Sequence, residues 1–195
     1  MRVSRYFVAA SLICATCTPF SFAVTKDWQG GAMGDWNEFL SWSPLGPPQV
    51  GDDVIITDLT ALGLDAETFL DSDYTINSLR LKHGGDADTN GHVLDVTGEI
   101  SVGGISGSAV TPPRLIVSEH ANGPNTVSLR AEDIGPFTGG EVILNGGRID
   151  VSAPGTNSGV VQIGGGGLVS GHGVIDFSDF LTEQTNQLNN NGTLE

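Results

Sequence analysis

Beyond residue 17 the sequence has no cysteine, which excludes disulfide staples, thiol catalysis and cysteine-ligated metal from everything downstream. Cations are scarce: eight Lys and Arg stand against 23 Asp and Glu, a formal net charge of −15. Such a surface repels nucleic acid and anionic membranes, so neither is an expected partner. Helix signals are nearly missing. Only Asp65 to Phe69 reads as a helical turn, and no stretch sustains a helical apolar period over a dozen residues. No apolar run is long enough to span a bilayer comfortably, so no transmembrane anchor is expected. A GxSxG nucleophile elbow and a P-loop are absent as well, and His83, His92, His120 and His172 lack metal-ligand spacing.

The N-terminus carries an address. Arg2 and Arg5 precede an apolar run from Tyr6 to about Ala15, Pro19 ends it, and Ser21-Phe22-Ala23 supplies the small residues that a signal peptidase reads. Residues 1–23 are therefore expected to be a secretory signal peptide, cleaved before Val24, which places the protein at the cell surface or outside the cell. Both cysteines, Cys14 and Cys17, lie in this leader. The residues preceding them, Ile13 and Thr16, do not suit lipoprotein processing. Loss of Arg2 and Arg5 leaves six basic against 23 acidic residues, a net charge of −17 on a cysteine-free mature chain. Its acids are interleaved with apolar residues, unlike a disordered acidic tail.

Short β-type runs punctuated by Gly, Asn, Asp and Pro fill the rest. They include Val54 to Ile56, Thr75 to Leu81, His92 to Val102, Arg114 to Val117, Thr126 to Leu129, Glu141 to Leu144, Arg148 to Val151, Val160 to Ile163, Leu168-Val169 and Val174 to Phe177. Alternation puts Leu94 and Val96, Ile100 and Val102, or Ile149 and Val151 on one face, with Asp95, Ser101 and Asp150 on the other. A phrase of Gly, any residue, then Ile or Leu recurs at Gly98 to Ile100, Gly147 to Ile149, Gly166 to Leu168 and Gly192 to Leu194. The apolar anchors Leu79, Ile100, Ile149 and Leu168 are spaced 21, 49 and 19 residues apart. Hairpin dipeptides are few, the clear cases being Asn90-Gly91 and Asn145-Gly146. This pattern predicts an all-β fold, a parallel β-solenoid with stacked rungs over 54–195; a β-sandwich is the alternative. The last copy of the phrase falls at Gly192, and the rungs are expected to continue beyond Glu195.

All three tryptophans, Trp28, Trp36 and Trp42, fall within 15 residues of a Gly- and Pro-rich segment over 24–53. Two readings suit them. They can cap the open end of a solenoid, or they can stack on sugar rings.

The order Trp36-Asn37, Trp42-Ser43, Pro48, Gly51-Asp52, Val54 to Ile56 and Ile76 to Leu81 resembles the start of bacterial exported β-solenoid surface proteins of the autotransporter passenger-like repeat family. Gly171 to Ile175 and Asn190 to Leu194 are similar to their rung phrases. The resemblance implies a right-handed parallel β-helix displayed or released outside the cell, with an N-terminal cap. No C-terminal membrane barrel or sorting signal accompanies it, so the chain resembles the N-terminal part of such a protein.

Chemistry-bearing candidates are limited. Asp86-Ala87-Asp88-Thr89-Asn90-Gly91 matches the first half of an EF-hand-type calcium loop, yet Thr97 stands where the bidentate Glu belongs. Asp86, Asp88 and Asn90 are the candidate calcium ligands; a polar loop using Asp and Asn turn chemistry is the other reading. Asp52-Asp53 and Asp71-x-Asp73 are the carboxylate pairs that a polysaccharide lyase or glycosidase would use. The few cations are scattered, and adjacent strand residues point to opposite faces. The expected function is a secreted or cell-surface structural and interaction protein, adhesin-like, without a catalytic centre or resident cofactor other than the candidate calcium. The alternative is a carbohydrate-active module, binding glycan through Trp28, Trp36 and Trp42 or cleaving polysaccharide with acidic loops.

Overall fold

The computed structural model describes residues 23–57, 65–103, 111–135, 139–151, 160–163, 167–176, 187–190 and 193–195. Residues 1–22 of the expected leader over 1–23, the run Gly164 to Gly166 and the Asn191-Gly192 pair lie outside them. The fold is all-β, as the pattern of short alternating runs predicts, and among the described residues 16 strands curl as one mixed sheet in the form of a half-barrel.

The first strands are β1 Thr25–Trp28, β2 Met33–Asp35, β3 Trp42–Ser43, β4 Asp53–Thr57, β5 Ala66–Phe69, β6 Tyr74–Ile76, β7 Ser78–Lys82 and β8 Gly85–Asp88. There follow β9 Leu94–Val102, β10 Arg114–Ser118, β11 Leu129–Ile134, β12 Glu141–Val151, β13 Val160–Ile163, β14 Leu168–Asp176, β15 Gln187–Asn190 and β16 Thr193–Leu194. Among the described residues a single 3-10 turn, Phe39–Ser41, interrupts them near the start.

Nearly all pairing is parallel and runs in three ladders. One joins β1, β4, β7, the end of β9, the end of β11, β13 and β15. A second joins β2, β5, β8, β10, the start of β12, the start of β14 and β16. The third joins β6 and the starts of β9 and β11 to the ends of β12 and β14. Among the described strands only β1 and β3 pair antiparallel, and Gly103 and Gly139 form an isolated antiparallel bridge.

Alternation explains the core. Val54, Leu79 and Ile100 stack in the first ladder, and Ala87, Leu115, Val142 and Val169 in the second. Ile76, Val96, Ala131 and Val151 stack in the third, and all these side chains are buried. In strands such as β4, β7 and β10 the intervening residues point the other way, so each of these strands buries one face.

The recurrent glycine phrase has a different meaning from a fixed period. Leu79 and Ile100 are true ladder neighbours, 21 residues apart. Ile149 belongs to the third ladder and Leu168 to the second, so the other two spacings join different ladders. What the two described glycines of the phrase, Gly98 and Gly147, share is a close approach. A Cβ on Gly147 would lie 2.3 Å from the Val117 carbonyl oxygen, and one on Gly98 would lie 2.9 Å from that of Asn77. Glycine is present there because the backbone of the neighbouring strand passes too close for a side chain.

Two local expectations are corrected. Asp65 to Phe69 is no helical turn: Ala66–Phe69 is strand β5, sandwiched between β2 and β8, with Ala66 and Thr68 buried alternately. Ladder hydrogen bonds on both sides outweigh the local helical preference of so short a segment. The run from Asp86 to Asp88 likewise lies in strand β8 rather than in a loop. Asn77 divides the run Thr75 to Leu81 between two ladders, whereas Glu141 to Val151 is one strand that turns a corner at Asn145-Gly146.

Candidate functional site

The N-terminal segment is built around its indoles. Trp42 meets Trp28 edge to face at 5.0 Å between ring centroids and Trp36 at 5.7 Å, and Trp36 in turn meets Tyr74 at 5.1 Å. All three tryptophans are buried. Each indole N–H has an acceptor: Trp28 donates to the Gly31 carbonyl, Trp36 to Thr68 Oγ1 and Trp42 to the Trp36 carbonyl. Gly30 and Gly34 make room for the Trp28 ring, since a Cβ on either would come within 2.9 Å of it. This T-shaped cluster leaves no pair of coplanar rings open to a sugar. The exposed apolar side chains of the segment are instead Val24, Met33, Phe39, Leu40, Leu45 and Val50.

Lys26, which the sequence did not single out, fastens this segment. Its ammonium is buried and donates to the carbonyls of Pro44, Leu45 and Gly46 at 3.1, 3.3 and 3.1 Å. Asp52 complements it as an acceptor, taking the Val24 N–H on Oδ1 and the Gln49 N–H on Oδ2. A lone lysine in an acidic, Pro-rich segment was the only sequence hint of this role.

Of the candidate calcium ligands Asp86 and Asp88 lie on strand β8 and Asn90 in the turn after it, and each is engaged. Asp86 is 1% exposed and its Oδ1 accepts from the Arg114 backbone N–H. Its Oδ2 accepts from Arg114 Nε at 2.8 Å and from Nη2. Asp88 Oδ1 accepts from the Asn90 N–H and from Ser118 Oγ. The Asn90 amide donates to the Leu70 carbonyl. A cation between Asp86 and Asp88 would have to displace the guanidinium. Among the described residues no group of three His, Cys, Asp or Glu stands close enough to hold a metal ion. Burial pushes the Asp86 carboxyl above its ordinary value, and the Arg114 guanidinium draws it back only in part; hydrogen bonding to Asp86 holds Arg114 above its own. Arg114 lies 28 residues from Asp86, so only the ladder register reveals the pair.

The carboxylate pairs are dispersed into clamps. Asp53 accepts from Ser78 Oγ and Asn77 Nδ2, and these bonds hold its carboxyl below the ordinary value. Asp71 accepts from the Tyr74 hydroxyl, and Asp73 from the Val93 N–H, with His92 Nδ1 at 3.7 Å. Tyr74, desolvated beside Trp36, is pushed up to about 12. His120 is buried and accepts from the Asn122 N–H, while His172 is exposed beside Asn145 in its ladder.

The site so defined is a tied-down aromatic segment on an acidic β scaffold. No protein-family model matches the chain, and neither a curated protein nor a solved structure does. No described helix is long and apolar enough to cross a membrane.

Proposed function

We propose that the chain is an exported structural and interaction protein of the bacterial cell surface or its surroundings, adhesin-like, and similar to autotransporter passenger repeats. In this reading the three ladders are the faces of a right-handed parallel β-helix, and the Trp-rich segment over 24–53 is its N-terminal cap. One observation supports it above the others. Successive strands of each ladder pair in parallel, from β4 through β7 to β9 and from β8 through β10 to β12, so that the chain returns to the same face after each circuit. Parallel strands require such crossovers, and stacked apolar rows then serve as a continuous core.

The scaffold acts by presentation. Outward side chains such as Arg80, Asp95 and Ser101 form a rigid polar surface that meets its partner through many weak contacts. The reading assigns no reaction and no cofactor to the chain. Each candidate acid of Asp52, Asp53, Asp71 and Asp73 is bonded to a backbone or side-chain donor nearby, as a turn clamp would be.

Protease treatment of intact cells expressing the protein, with immunodetection of what survives, tests the location; a protein fully protected until lysis contradicts it. Incubation with polyuronates and neutral glycans tests the passive role. Measurable turnover would replace it with an enzymatic one, and solution scattering from a compact sphere rather than an elongated particle would remove the β-helix.

A further inference from the structure

Asp52 presents a problem of charge. It is 2% exposed, yet no Lys, Arg or His side chain lies within ion-pair distance of it among the described residues. Lys26, two residues along from Val24, turns its ammonium to the carbonyls of residues 44–46 instead. A buried carboxylate held only by neutral donors is costly, by several kcal/mol before compensation. The donor on its Oδ1 is the backbone nitrogen of Val24, at 3.1 Å. Val24 is also the residue that the Ser21-Phe22-Ala23 pattern makes the first of the processed chain.

We infer that Asp52 is the receptor for the new amino terminus, an α-ammonium created at Val24 when the leader is removed. The inference rests on the export reading above and extends it. Hydrolysis by a signal peptidase breaks the Ala23–Val24 C–N bond. The water's hydroxyl goes to the Ala23 carbonyl carbon, and the Val24 nitrogen takes up protons to become an ammonium at neutral pH. The nitrogen need not move. Val24 is held by its own carbonyl, which accepts from the Asp53 N–H at 3.0 Å, and by the Thr25–Asp53 register of β1 on β4. Processing thus converts a neutral amide hydrogen bond into a charge-assisted one at a fixed geometry. The buried carboxylate gains its counter-charge only in the mature protein. Because Asp52 Oδ2 also holds the Gln49 N–H, the same ion ties the start of the chain to the turn before β4.

The test starts with N-terminal sequencing of the protein recovered after export; Val24 in first place is expected, and another first residue overturns the inference. The recovered protein is then unfolded, acetylated at its α-amine near neutral pH, and refolded beside an untreated sample. Acetylation keeps the N–H and removes the charge. The free form should melt higher by about 3 °C, and Asp52→Asn should abolish the difference between the two forms. Equal melting of free and acetylated protein, or a difference that survives in Asp52→Asn, overturns the site. Failure of export is a separate outcome, seen as protein retained in the cell with its leader intact; it overturns the reading of the leader on which the inference rests. A chain made to begin at Val24 by other means still scores the Asp52 site through the same comparison.

Discussion

Asp86 and Arg114, 28 residues apart, are joined edge to edge: one carboxylate receives the backbone N–H, Nε and Nη2 of a single arginine. Asp86 is buried while the arginine side chain keeps one edge in solvent. Removing Arg114 by substitution with Met leaves an uncompensated carboxylate and is expected to destabilise the fold by about 3 kcal/mol. The double variant with Asp86→Asn should lose clearly less than the sum of the two single losses, with a coupling above about 1 kcal/mol in denaturant titrations. The pH dependence has a definite sign. A carboxyl whose folded value lies above its unfolded 3.8 binds a proton on folding. Its cost is therefore full above the folded value and is relieved as pH falls toward 3.8, and more steeply in Arg114→Met.

Lys26→Met should loosen the N-terminal segment. Three carbonyls lose a charged donor, at a cost of about 2 kcal/mol. All three tryptophans lie in this segment, so their fluorescence should change at a lower denaturant concentration than in the unsubstituted protein. An unchanged fluorescence midpoint contradicts the role assigned to the ammonium.

Tyr74 should ionise late. Burial raises it to about 12, against an ordinary 10.0, so the folded protein holds the phenolic proton more tightly than the unfolded chain. The stability this supplies is complete below pH 10.0 and is lost as pH rises through about 12. Near-ultraviolet phenolate absorbance, compared with Tyr74→Phe, isolates the step from the other tyrosine, Tyr6.

Gly147→Ala is expected to be far worse than Gly123→Ala. A methyl group on Gly147 meets the Val117 carbonyl at 2.3 Å, at the corner of β12, whereas Gly123 has a positive φ of 102° but open space around it. The second should cost about 1 kcal/mol and the first well over twice that, read from thermal melts.

The all-β character was legible because alternation survives in single strands: Leu94 and Val96 or Ile149 and Val151 are buried as a pair wherever the ladder places them. The registers were not. Thr68 and Ala87 pair across 19 residues and Val96 and Ala131 across 35, since the connections between ladders vary in length. A search for one period therefore finds Leu79 with Ile100 and mixes ladders elsewhere. Strands β5 and β8 were hidden for a different reason. Their outward residues, Glu67 and Asp86, are acids of low strand preference, held in place by their neighbours rather than by their own chemistry. The aromatic cluster could be read as a group, yet burial of each ring depends on Thr68, Gly31 and the Trp36 carbonyl, which no local pattern points to.

The chain has two lysines, Lys26 and Lys82, and the enclosure of Lys26 makes them unequal as chemical handles. Three carbonyls occupy all the hydrogens of the first ammonium, so an amine-reactive dye or coupling resin should find only Lys82 among the side chains of the folded protein. Lys82 closes strand β7 on the first ladder. Among side-chain amines, coupling would therefore fall on the strand β7 position where Lys82 pairs with Thr57.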